Sequence, residues 1–155
     1  MFHYFGTRQG LHLEIVRTAR DAMLHATDPD PALPARERLR DVLARFVTFV
    51  QDHDATFYSV VRGASSGDPR VRETVQHARD VLTRHATAIV VELGVTPSPL
   101  VDVAVRSWIS LAEQALVDAA ADAAIPSEEL VAFLERSAYA TVAAAAGTTT
   151  GPGVV

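Results

Sequence analysis

The chain has 155 residues, a formal charge of −5 and a hydrophobic fraction of 48%, enough for one ordinary domain with its own core. All 14 basic residues are arginine, which excludes a Schiff-base or phosphate-loop lysine, and the lack of cysteine excludes disulfides, thiolate nucleophiles and cysteine metal sites. An acidic chain without a basic tract lacks the cations that nonspecific nucleic-acid binding draws on, and no apolar run nears the ~20 residues of a membrane span; a soluble, cytoplasmic protein is expected.

The spacing predicts a first helix over residues 8–27, with Thr7 as its cap and an apolar stripe of Leu11, Ile15, Ala19, Ala22 and Ala26. Asp28-Pro29-Asp30-Pro31 ends it, because proline neither donates the helical hydrogen bond nor leaves its predecessor free to be helical. Pro34 suits the first turn of a second helix reaching Asp52, with Leu39, Val42, Leu43, Phe46, Val47 and Val50 inward. The segment Ala55–Val61 has β-branched and aromatic content, yet a lone strand would leave its backbone groups unpaired, so a short third helix is expected.

Residues 63–67 read as a loop, and Asp68-Pro69 then supplies a capping carboxylate followed by proline at the first helical position. A long fourth helix, striped by Val71, Val75, Ala78, Leu82, Ala86, Ile89 and Leu93, runs to Gly94. Ser98-Pro99 repeats the start signal for a fifth helix predicted to reach Ala124. Pro126-Ser127-Glu128-Glu129 opens a sixth, whose first-turn acids favour that helix end. Residues 147–155 read as a loose tail.

Six helices with short connections and no sheet make the expected fold all-α. The fifth helix is apolar on more than one face, which fits either a central core helix or a helix whose outer face a second copy covers, and the second is expected. The predicted interface combines Val105, Ile109, Ala112, Ala115 and Leu116 with Leu134 and Ala138 of the last helix.

The opening run Met1-Phe2-His3-Tyr4-Phe5-Gly6-Thr7-Arg8 and the following Leu11 resemble the seam between the recognition helix and the fourth helix of TetR-family regulators. The loop Arg62-Gly63-Ala64-Ser65-Ser66-Gly67-Asp68-Pro69 is similar to the one before the family's seventh helix. Arg106-Ser107-Trp108-Ile109 resembles part of the eighth, and the last helix resembles the ninth. The resemblance covers about residues 1–145. It implies a remnant of the recognition-helix end in residues 1–7, a ligand-binding and dimerisation domain in residues 8–146, and a flexible tail in 147–155. Phe2, Tyr4 and Arg8 would be the remnant of the DNA-contacting region. Against the family pattern, these residues are expected to lack most of the helix-turn-helix head, and DNA binding is expected only where a complete one is present. The partners implied are a second copy and a small apolar or aromatic effector; the alternative is a stand-alone helical interaction module without one.

Enzymatic chemistry finds little support. The six histidines carry no HExxH spacing, and Asp52-His53-Asp54 lies near a helix junction where neighbouring side chains diverge, so no metal site is expected. Ser59, Ser65, Ser66 and Ser107 lack a nucleophile-elbow context, and the chain is expected to be neither an enzyme nor a cofactor binder. His77 and His85 are both candidates to reach a cavity. Phe57, Tyr58, Arg62, His85 and Trp108 are the expected ligand-binding residues, between the short third and the long fourth and fifth helices. Rings would give contact area, and a hydroxyl, imidazole or indole would fix orientation.

Overall fold

The computed structural model describes residues 7–147, which form six helices: α1 (Arg8–Ala26), α2 (Ala35–Asp52), α3 (Asp54–Gly63), α4 (Pro69–Glu92), α5 (Pro99–Ala119) and α6 (Ser127–Ala145). The predicted caps operate as expected. Thr7 accepts from the Gly10 amide, Asp68 from the Arg70 amide and Ser98 from the Val101 amide, each satisfying a donor that the first turn leaves free. The arginine side chain and amide of Arg70 also hold the Asp68 carboxyl below its usual range.

Cross-links fix the helix directions. Arg40 pairs with Glu135 at 2.6 Å, while Gln51 reaches the Ala120 carbonyl at 3.0 Å and the Ser127 hydroxyl at 2.8 Å, so α2 and α6 run antiparallel. Val101 and Val105 pack with Val142, while Trp108 bonds back to Leu134, which sets α5 antiparallel to α6. The pairing of Arg79 with Glu113, and of Ala86 and Val90 with Val101 and Val105, does the same for α4 and α5. At the far end of α1, Arg45 donates to the Ala26 carbonyl and to Asp41, tying the last turn of α1 to α2. Arg38 donates to the Asp30 and Leu33 carbonyls and pairs with Glu92, so the loop between α1 and α2 is fastened to the end of α4.

Two expectations are corrected. The buried stripe of α1 is Leu13, Val16, Ala19 and Met23, which shares only Ala19 with the predicted one; Leu11 and Ile15 are 44% and 49% exposed. The helix is apolar on two sides, and the outer side forms a shallow groove with Ala55, Thr56 and Ser59 of α3. The fifth helix stops at Ala119, before the predicted Ala124. Gln51 takes the Ala120 carbonyl, and Asp122 turns the chain by accepting from the Ala124 amide.

The join between α1, α3 and α4 depends on a missing side chain. A Cβ on Gly63 would meet the Val75 methyl at 2.6 Å and that of Val71 at 3.1 Å, with Val16 close behind at 3.5 Å. Valine is stiff at χ1 and these residues are fully packed, so the neighbours have no easy retreat. Gly63→Ala is therefore expected to destabilise the fold by about 1–3 kcal/mol despite alanine's better helix propensity. Gly67→Ala, with open space around the added carbon, is the control that should stay near wild type. Thermal denaturation compares them, and a G63A variant as stable as wild type would contradict the tight join.

Candidate ligand cavity

Helices α1 to α5 converge on a cavity of about 90 Å³. Met23 from the end of α1, Phe46 from α2, Phe57 and Val60 from α3, Leu82 and His85 from α4, and Trp108 from α5 are among its walls. Leu82 and Ala86 of the predicted α4 stripe are only half-buried because they border this space. The cavity is nearly all apolar, with polar groups at two places.

The first is an ion pair. Arg79 Nη2 donates to both Glu113 oxygens at 2.8 and 3.0 Å, and Nε adds a longer bond of 3.3 Å. This fork-like arrangement consumes both charges, leaving the wall without net charge. The second is His85, whose Nδ1 is buried without a hydrogen-bond partner. Burial pushes the imidazole pKa below its ordinary value, opposed by the Asp28 carboxylate and assisted by the Arg84 guanidinium. Burial thus favours the neutral ring, and its buried nitrogen has no partner among the protein's own groups.

The structure brings together Phe57, His85 and Trp108 of the five predicted ligand residues. The other two are elsewhere. Tyr58 follows Phe57 on the helix and is turned about 100° from it, so its hydroxyl donates to the Val117 carbonyl at 3.3 Å. Arg62, one turn on, lies 5.6 Å over the Tyr58 ring. His77 is exposed. Trp108 lends the cavity only its ring, since its indole N–H donates to the Leu134 carbonyl at 3.2 Å and the Ser137 hydroxyl at 3.1 Å. The Arg79–Glu113 pair was missed because 34 positions separate the partners and no periodicity signals it.

The predicted interface residues face mostly inward in the single chain. Val105, Ala112, Leu116, Leu134 and Ala138 are buried in the chain's own core. Ile109 and Ala115 are partly buried and packed against that core. The apolar surface these helices leave open is Leu100, Val103 and Leu111 on α5 and Phe133 on α6. Phe2 and Tyr4 lie outside the described residues, as does most of the predicted tail, while Arg8 is exposed at the start of α1. Among the described residues, no group of histidine and carboxylate side chains is placed to hold a metal, and no helix is long and apolar enough to cross a membrane.

Residues 35–141 match the family model of the tetracyclin repressor-like C-terminal domain. The chain also resembles a crystal structure of a TetR-family transcriptional regulator from Streptomyces coelicolor. The two share 27% identity and a TM-score of 0.77, over 99% of this chain and 70% of that one. No curated protein matches.

His85 carries a pH signature. Its folded pKa lies below the value of 6.5 expected unfolded, so the unfolded chain binds more protons between the two values. The contribution is present above pH 6.5 and is lost as pH falls toward the lowered pKa. His85→Leu removes the titration while keeping an apolar wall. The stability of wild type relative to H85L should decline on acidification below pH 6.5 in urea denaturation series. A difference that is flat with pH would contradict the burial of a neutral imidazole.

Proposed function

Because the chain belongs to the tetracyclin repressor-like C-terminal domain family and is such a domain of a transcriptional regulator, we propose that it binds a small, uncharged, largely apolar effector in the α1–α5 cavity and dimerises through α5 and α6. The observation that carries the effector reading is the orphaned His85 nitrogen in an apolar, charge-neutral space. A charged guest would lose its hydration there without gaining a counter-charge, because Arg79 and Glu113 already satisfy each other. A hydroxyl both donates and accepts, so it suits His85 in either neutral tautomer. An aromatic or aliphatic body with one hydroxyl is the fitting class.

The cavity is smaller than the roughly 150 Å³ that accommodates benzene, so a ring-sized guest enters only as the walls part. A ligand that binds the parted arrangement better shifts the population toward it. Met23 lines the cavity and Arg8 opens the same helix, so movement at one end is carried about 22 Å to the other. A DNA-binding head joined through Arg8 would feel that movement, and the groove of Leu11, Ile15, Ala55 and Thr56 would offer it an apolar seat. Through this lever the effector would regulate DNA binding by a head outside the described residues.

Fluorescence of the single tryptophan, Trp108, reads occupancy directly because its ring is part of the wall. Titration with p-cresol should give saturable binding, and H85L should weaken it about five- to tenfold for the loss of one hydrogen bond. Binding unaffected by H85L, or no binding, would remove the site assignment. In a full-length regulator, the same ligand should change operator affinity in a gel-shift titration.

For the dimer, the exposed Leu100, Val103 and Leu111 of α5 and Phe133 of α6 supply apolar surface on these two helices. Sedimentation is expected to show a dimer at micromolar concentration. Leu111→Glu and Phe133→Glu, both at solvent-exposed positions in the single chain, should give folded monomers. A monomeric wild type would refute the interface.

A further inference from the structure

A second cavity, of about 250 Å³, lies between α2, α4, α5 and α6 on the other side of Trp108. The two spaces share Leu39, Ala86, Ile89 and Trp108 as a common wall, so the second is a separate compartment of the same core. Its body is aliphatic, with Val90, Leu93, Val105 and Val142 among its walls. Its polar groups differ in kind from those of the first. Tyr139 borders it with a buried hydroxyl that has no hydrogen-bond partner. Arg36 borders it too, with its guanidinium 4.9 Å from the centre of the Tyr139 ring. Arg36 has no carboxylate partner among the described residues, in contrast to Arg79, which is neutralised by Glu113 in the first cavity.

We propose that this second cavity is a binding site for a small amphipathic carboxylate, with the carboxylate held by Arg36 and the Tyr139 hydroxyl and the apolar body among the aliphatic walls. Guanidinium is a donor without acceptor capacity, and the phenol has a free O–H, so the complement is an acceptor-only anionic group. One cation matches one negative charge. The exposed position of Arg36 lets the carboxylate stay near water while the body is buried, so the ion pays little desolvation. By proportion to benzene in about 150 Å³, the space suits about ten non-hydrogen atoms. The aromatic ring under Arg36 holds the guanidinium at the cavity wall by a cation–π contact before any guest arrives.

Octanoate and octanamide have the same size and differ in charge, which makes them the test pair. Titrated into the 155-residue protein with calorimetry and Trp108 fluorescence, octanoate should bind saturably and octanamide about tenfold or more weakly, the loss expected for a charge-assisted pair. Arg36→Gln should lower octanoate affinity about tenfold and close the gap to octanamide. Tyr139→Phe keeps the ring under Arg36 and should weaken octanoate several-fold with an unchanged circular dichroism spectrum. H85L should leave octanoate affinity unchanged, which separates this site from the p-cresol site. The proposal is overturned if octanoate shows no saturable binding at millimolar concentration, if R36Q and Y139F both bind it like wild type, or if H85L abolishes its binding.

Discussion

The packing of the Trp108 indole between α5 and α6 is the contact on which the interior depends. Its N–H is satisfied by the Leu134 carbonyl and the Ser137 hydroxyl, fixing the ring between the helices. With the polar edge committed to α6, the two faces of a large, rigid apolar plate are left to divide the core. One compartment opens toward α3, the other toward the end of α6. A smaller residue here would thin the wall that Leu39, Ala86 and Ile89 share with it, and would remove the bond that seats α5 against α6. A flexible one would leave the partition undefined.

Around that partition, the charged residues are arranged so that each compartment has its own chemistry. Arg79 and Glu113 cancel within one, leaving an uncharged interior whose unsatisfied group is a neutral imidazole. Arg36 stands unpaired over Tyr139 at the other. Arginines elsewhere do structural work: Arg45 takes the Ala26 carbonyl that the end of α1 leaves free, and Arg38 fastens the loop between α1 and α2 through its Asp30 and Leu33 carbonyls. A chain with no lysine uses the planar, many-donor guanidinium for all of these roles, and the forked pairing with Glu113 is one that an ammonium could not reproduce.

The mechanical link between the interior and α1 follows from two kinds of contact on one helix. Met23, near its end, touches the cavity, while Val16, near its middle, is locked against the closely packed α3–α4 corner at Gly63. A helix held firmly at its middle and touched at one end behaves as a lever, because its own hydrogen bonds keep it straight over that length.

The sequence by itself determined the elements. Proline pairs, capping Thr7, Asp68 and Ser98, and apolar repeats at three and four residues are local signals, and the helices follow from local hydrogen bonding and sterics. It also determined that the fold is all-α, that Phe57, His85 and Trp108 are unusual among aliphatic neighbours, and, through its resemblance, the family. Tertiary structure alone decided which side of each apolar helix faces inward. Periodicity marks a face only when the other faces are polar, and α1 and α5 are apolar on two, so Leu11 and Ile15 are outside while Val105, Ala112 and Leu116 are inside. It alone decided the polar pairings too, since Arg79 meets Glu113 and Arg36 meets Tyr139 across more than thirty residues of chain. Such contacts arise from how the helices pack, and no local pattern in the chain encodes them.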